Sequence, residues 1–154
     1  LREALELLRD VTPCIPPRTI NIWRRPRRPI IVYSDASWPS DEDGAKAVKE
    51  SRIGWVIFVP DQQPKGFSLK VNESILSNLI FRKQQILAVE AFAAIAALDV
   101  SPDTFKDQDV IWFVDNESAV SSLIRGAANP ESIDRIAALS AARATTLQTR
   151  NWWE

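Results

Sequence analysis

An α/β fold with a mixed sheet is predicted by three observations. Three strand-like runs follow one another before any long helix, a strongly apolar helix then leads into a fourth such run, and further helical segments separate that run from a strand-like ending at Trp152 and Trp153. Consecutive strands are best arranged as an antiparallel meander. A strand reached through a helix pairs parallel to the one it left, so the expected sheet has three antiparallel strands followed by parallel ones, five in all, with helices packed on it.

Each element has its own signal. Leu1, Ala4, Leu5 and Leu8 form a helical stripe that stops before Thr12-Pro13. Residues 12–29 carry Pro13, Pro16, Pro17, Pro26 and Pro29 with no sustained period, which marks an extended connector. The domain proper starts near Pro29. A first strand covers residues 29–35, and a polar loop with Asp41, Glu42, Asp43 and Gly44 runs to Ser51. A hairpin follows, with a strand at 52–59, a turn-rich break at 60–64 and an alternating, half-exposed strand at 66–71. The apolar helix spans about 84–98, and Pro102 and Asp103 end its connection to the fourth strand at 110–115. Asn116 is placed to cap the next helix, with Glu117 serving its N-terminus by charge and Gly126 as its stop. Asn129 and Pro130 suit the cap and first turn of a helix that runs to about Gln148.

Composition excludes several chemistries. With 154 residues, 45% hydrophobic and 25% charged, the chain describes one globular domain with an adequate core. No apolar stretch reaches the roughly 20 residues of a membrane span, and no signal peptide is visible, so an intracellular protein is expected. The single cysteine, Cys14, cannot form an internal disulfide. No histidine is present, which removes the usual zinc sites and every histidine-based triad. Chemistry must run on carboxylates, hydroxyls or amides. The absence of methionine and the strand-like ending suggest an excised or truncated piece. The net charge of −1 argues against indiscriminate nucleic-acid binding. Arg24, Arg25, Arg27 and Arg28 are compatible with phosphate contact or with a solvated, proline-stiffened linker, the linker being preferred.

Three carboxylates stand out. Asp35 ends the first strand, Asp115 ends the fourth, and Glu90 interrupts the apolar helix between them. If the two strands are neighbours and the helix packs on them, the three acids converge at the carboxyl ends of parallel strands, where ligand chemistry concentrates in open α/β sheets. Such a patch of hard oxygen donors suits Mg²⁺, with Mn²⁺ as substitute. Each acid also has a structural reading. A strand-end aspartate often only caps a turn, and Glu90, flanked by Ile86, Val89, Ala93 and Ala94, could be paired with an arginine.

The strand and helix order, with the motifs Tyr33-Ser34-Asp35-Ala36-Ser37, residues 86–94 around Glu90, and Phe113-Val114-Asp115-Asn116-Glu117-Ser118-Ala119, resembles ribonuclease H. It resembles most narrowly the ribonuclease H domain that follows a reverse transcriptase in retroelements. The resemblance covers residues 29–154. It implies a ribonuclease H-like fold, residues 1–28 as the end of a polymerase part and its tether, and a reverse transcriptase in the same polyprotein. It also implies hydrolysis of the RNA strand of RNA/DNA hybrids by two Mg²⁺ ions about 4 Å apart. Asp35 would bridge both ions, with Glu90 and Asp115 completing their shells. The family's fourth carboxylate lies on a helix after the fifth strand, which this reading takes to be cut away with part of that strand. Asp134 falls too early to replace it and is read as a surface residue. Ala36 stands where the family more often has glycine, which makes close approach of substrate harder.

Ser37, Gln85, Asn116 and Ser118 lie near the acids and could hydrogen-bond sugar hydroxyls or base edges, or serve only as caps and solvated positions. Trp38 could stack on sugars or bases; Trp55 is better placed in the core, and Trp112, Trp152 and Trp153 read as sheet packing. Two other readings keep the fold: a noncatalytic nucleic-acid-binding domain, and a DNA-directed or transposase-type nuclease.

Overall fold

The computed structural model describes Glu6 and residues 27–38, 51–72, 86–126 and 131–154. The amino-terminal helical stripe, most of the proline-rich connector, Arg24, Arg25 and Gln85 lie outside the described residues. Five strands form one sheet: β1 (Ile30–Ser37), β2 (Arg52–Phe58), β3 (Lys65–Lys70), β4 (Asp109–Val114) and β5 (Arg150–Trp153). The described helices are α1 (Ile86–Val100), α2 (Pro102–Phe105), α3 (Glu117–Arg125) and α4 (Glu131–Leu147). The strand order is β3-β2-β1-β4-β5. β1 pairs antiparallel with β2, and β2 with β3, whereas β4 pairs parallel with both β1 and β5. The mixed sheet expected from the element order is therefore present. The one-turn helix α2 was not anticipated; Pro102 opens it, and its backbone closes with Lys106 N–H donating to the Pro102 carbonyl.

Period-two alternation decides which face is covered. Ile30, Val32 and Ser34 of β1, Ile53, Trp55 and Ile57 of β2, and Val110, Trp112 and Val114 of β4 are buried, while Tyr33, Asp35, Val56 and Phe58 point the other way and are exposed. Among the described residues, the helices cover the buried side. α1 packs against β1, β2, α3 and α4, and nearly every residue from Ala88 to Leu98 is buried, including Ala91, Ala93, Ala94 and Ala97. A helix apolar all round belongs between layers rather than at a surface. Its alanines let neighbouring elements approach closely, and Glu90 is its one buried acid.

Helix ends follow their signals. Asn116 has extended geometry and its Oδ1 accepts from Ser118 N at 3.0 Å and Ala119 N at 3.2 Å, and Gly126 at φ 64° ends α3. α4 stops without glycine. Gln148 takes φ 55°, its N–H bonding the Thr145 carbonyl at 3.1 Å while Thr149 N–H bonds that of Ala144 at 2.9 Å, the paired bonds of a Schellman ending that turns the chain into β5.

The tryptophans divide. Trp55 and Trp112 are core residues, Trp112 stacking on Phe105 and Trp153 and donating from Nε1 to Asn151 Oδ1 at 3.1 Å. Trp152 departs from the sheet-packing expectation, since it alternates with Trp153 onto the open face and is 50% exposed. Trp38 packs against the core with its Nε1 buried, so it is turned away from any ligand on that face. The described arginines of the basic segment pair with the domain itself, Arg27 with Asp107 and Arg28 with Asp61 at 3.1 Å. They sit at the start of β1, and Asp35 lies roughly 16 Å further along it.

Overpacking α1 provides a test of this arrangement. Ala97→Leu inserts three heavy atoms where exposure is 0% and is expected to destabilise the fold by about 1–3 kcal/mol in urea unfolding. Leu139→Ala, at a 60% exposed position, is expected to change stability by under about 0.5 kcal/mol.

Candidate functional site

The β1–β4 register brings two acids together. Ser34 is paired with Val114, so the next residues, Asp35 and Asp115, stand side by side where the parallel ladder ends. Both are exposed. Asp35 Oδ1 accepts from the Ala36 N–H at 2.7 Å, a local bond that fixes the carboxylate. Asp115 is followed at once by the Asn116 cap, so the start of α3 fixes where β4 must stop.

Glu90 completes the group from the helix side. It is 7% exposed, and its Oε2 is buried without a hydrogen-bond partner. Its carboxyl is pushed up from 4.5 to about 7, first by burial and then by the charges of Asp35 and Asp115, against a hydrogen bond from the Asn116 side chain that favours the ionised form. Asn116 thus caps α3 with its carbonyl oxygen and hydrogen-bonds Glu90 with the same side chain. The arginine partner considered for Glu90 is not found among the described residues. As placed, no three such side chains among the described residues form a cluster able to hold a metal ion.

Asp35 and Asp115 open onto a broad groove of about 880 Å³ on the uncovered sheet face, whose lining includes Tyr33, Gly54, Gly66, Ser68, Phe113 and Glu154. Tyr33 stacks on Phe113 with ring centres 4.7 Å apart, and Phe58 meets Tyr33 edge-on at 5.9 Å. Glu154 is held beside β4 by its N–H to the Trp112 carbonyl at 2.8 Å and by Val114 N–H to its own carbonyl at 2.9 Å.

Of the polar candidates, Asn116 is at the site. Ser37 lies two residues beyond Asp35 on the same face of β1, and Ser118 lies exposed in the first turn of α3; neither lines the groove. Asp134 is half-buried on α4, away from the groove. Gly54, Gly66, Ser68 and Glu154 were missed by sequence reasoning. For the first three the signal was the alternation of β2 and β3, which becomes readable only once the hairpin register is known, and Glu154 is placed by its backbone bonds to β4.

No family model matches the chain, and no curated protein matches it. Solved structures do. The chain is similar to the crystal structure of RNase H1 from the archaeon Halobacterium salinarum, with TM-score 0.52 and 18% identity over 82% of this chain and 83% of that one. It has the ribonuclease H fold. The N-terminal RNase H domain of rv2228c from Mycobacterium tuberculosis aligns with TM-score 0.55 and 11% identity, covering 82% and 86% of the two chains. A compost-derived LC11-RNase H1 aligns with TM-score 0.52 and 16% identity, covering 82% and 84%. At such identities the likeness is one of fold, and the ribonuclease H arrangement of strands is what places Asp35 beside Asp115.

The raised Glu90 carboxyl predicts a pH dependence. In the unfolded chain it titrates near 4.5 and in the folded chain near 7, so the folded state holds the extra proton between those values. The neutral form is accommodated in full below pH 4.5, and stability falls as the pH rises through about 7. Without divalent cations, Glu90→Gln is expected to match the parent protein near pH 4.5 and to exceed it in denaturation midpoint at pH 8. A difference that does not vary with pH would refute the shift.

Proposed function

We propose that this chain is a metal-dependent endonuclease that hydrolyses the RNA strand of RNA/DNA hybrids, leaving 5′-phosphate and 3′-hydroxyl ends. The carrying observation is the convergence of Asp35 and Asp115 at neighbouring strand ends with a buried Glu90 whose carboxyl both of them disfavour as an anion. The ribonuclease H fold supports the same reading.

The donor set fits Mg²⁺ or Mn²⁺. Asp35, Glu90 and Asp115 offer hard carboxylate oxygens, and Glu90 Oε2 is a buried acceptor still without a partner. Bound divalent cations would supply activation of the attacking water and stabilisation of the leaving 3′-oxygen. The chain's own residues do the positioning. Asp35, which the sequence placed at the end of the first strand, lies two residues before the end of β1 and is fixed there by the Ala36 N–H, Asp115 is held between β4 and the α3 cap, and Asn116 orients Glu90. Burial of Glu90 keeps water from its inner oxygen, and the open groove leaves the outer faces of Asp35 and Asp115 accessible to a long substrate. Ser37, Gln85, Asn116 and Ser118 are proposed contacts to sugar hydroxyls or base edges.

On this reading residues 1–28 are a tether from a reverse transcriptase in the same polyprotein, and residues 29–154 are its ribonuclease H-like domain. Hybrids form inside cells, which places the protein in the cytoplasm or nucleus. Among the described residues no helix is long and apolar enough to cross a membrane. A second reading keeps the fold without the catalysis, a noncatalytic hybrid-binding domain, since likeness to solved structures at 11%, 16% and 18% identity carries the fold alone.

Cleavage of a labelled RNA/DNA hybrid in Mg²⁺ or Mn²⁺, with duplex DNA as control, separates the two. The expected outcome is scission of the RNA strand alone, reduced in Asp115→Asn by at least the roughly 100-fold that second-shell changes around a metal reach. In parallel, saturating cation is expected to raise the melting temperature of the parent protein but not of Asp35→Asn, since a ligand at 100 times its Kd stabilises by about 2.7 kcal/mol. Binding of the hybrid without cleavage or cation-dependent stabilisation would select the noncatalytic reading.

A further inference from the structure

The open sheet face is ordered in rows. In β2–β3, Arg52 stands directly opposite Lys70, Gly54 opposite Ser68, and Val56 opposite Gly66. The β1–β2 register continues these rows to Ser37, Asp35 and Tyr33 in turn. Directly paired residues share a face, so a cationic row, a row of small residues ending at Asp35, and an apolar row ending at the Tyr33–Phe113 stack lie side by side.

The cationic row is the anomaly. Like charges directly opposite one another destabilise an antiparallel pair. Arg52 and Lys70 are both exposed, and among the described residues neither is engaged in an ion pair. Beside this row, Gly54 faces Ser68, and beyond them Gly66 faces Val56, so two of these four positions carry no side chain. A Cβ at Gly66 would meet nothing within 4 Å, and one at Gly54 would lie 3.3 Å from the Phe67 carbonyl oxygen. Strand spacings put the Cα atoms of Arg52 and Lys70 roughly 8 and 12 Å from that of Asp35, so both flexible side chains flank the path to the acids.

We propose that Arg52 and Lys70 are phosphate-binding positions, which hold the backbone of one nucleic-acid strand across β2 and β3 on its way to Asp35 and Asp115. This rests on the hybrid-nuclease reading and adds the path of the substrate. A phosphate between the two cations removes their mutual repulsion, the glycines admit a sugar-phosphate backbone close to the sheet, and the aromatic row offers its faces to the sugars and bases beyond. The contacts are to charge, so they raise affinity equally for all sequences.

The test is fluorescence anisotropy of a labelled RNA/DNA hybrid in EDTA, from roughly 50 to 200 mM salt. The magnitude of the slope of log K against log[salt] is expected to fall by about 0.9 for each of Arg52→Ala and Lys70→Ala, and by about 1.8 for the double variant. Lys106→Ala, in the α2–β4 connection at the start of β4, is expected to leave it unchanged. Arg52→Glu guards against misfolding. It places an opposite charge across from Lys70, so its melting temperature is expected to equal or exceed that of the parent while affinity falls at least tenfold. If the parent binds the hybrid and the double variant keeps its slope, the assignment of Arg52 and Lys70 is wrong and the nuclease reading stands. If the parent does not bind the hybrid at all, both fall together.

Discussion

Everything at the site depends on the parallel pairing of β1 with β4. Parallel neighbours need a crossover, because their ends lie at opposite edges of the sheet, and here the crossover runs through α1. With Ser34 opposite Val114 the parallel ladder ends, and the next residue on each side is an aspartate, Asp35 still within β1 and Asp115 just past β4. The helix that makes the pairing possible must lie against the sheet, and its nearly continuous apolar surface between sheet and α4 satisfies that demand. Glu90 is carried into the interior by the same packing. One topological choice therefore creates the pair of exposed acids and also desolvates the third.

Much of this was legible in the chain because the signals were local. Alternation in β1, the Asn116 cap, the Gly126 stop and the Pro60–Pro64 break each act within a few residues, and the element order follows from them. The side on which Glu90 faces was not legible. An amphipathic helix announces its inner face, but α1 is apolar on all sides, so Glu90's position on it gave no direction. The rows on the open face were equally hidden. A slip of one residue in the β2–β3 register would send Gly66, Ser68 and Lys70 to the helix side, and nothing in the turn sequence fixes that register in advance. Trp152 and Trp153 show the same difficulty on a strand of four residues, where adjacent identical side chains must face opposite ways. The ion pairs of Arg27 and Arg28 were not legible for a different reason: the acids that engage them are 80 and 33 residues away in sequence.

Several acids away from the site are each matched by an arginine. Asp61, Asp99, Asp107 and Asp109 are each paired with one, and the Arg150–Asp109 contact clips β5 to β4 at the start of both strands. At Asp35, Glu90 and Asp115 the same remedy is withheld among the described residues, although the group is more crowded and one member is buried. Two described cations on that face, Arg52 and Lys70, have Cα atoms roughly 8 and 12 Å from that of Asp35, and among the described residues neither forms an ion pair, which leaves both able to meet another anion. A sheet that separates its unpaired acids from its unpaired bases by an open path of small residues keeps both available to something lying in that path. The two kinds of charge differ in what they can hold: the acids suit a cation, and the bases suit an anion. A metal-bearing phosphodiester backbone presents both, which is why a single elongated ligand accounts for a face that no pairing among the described residues neutralises.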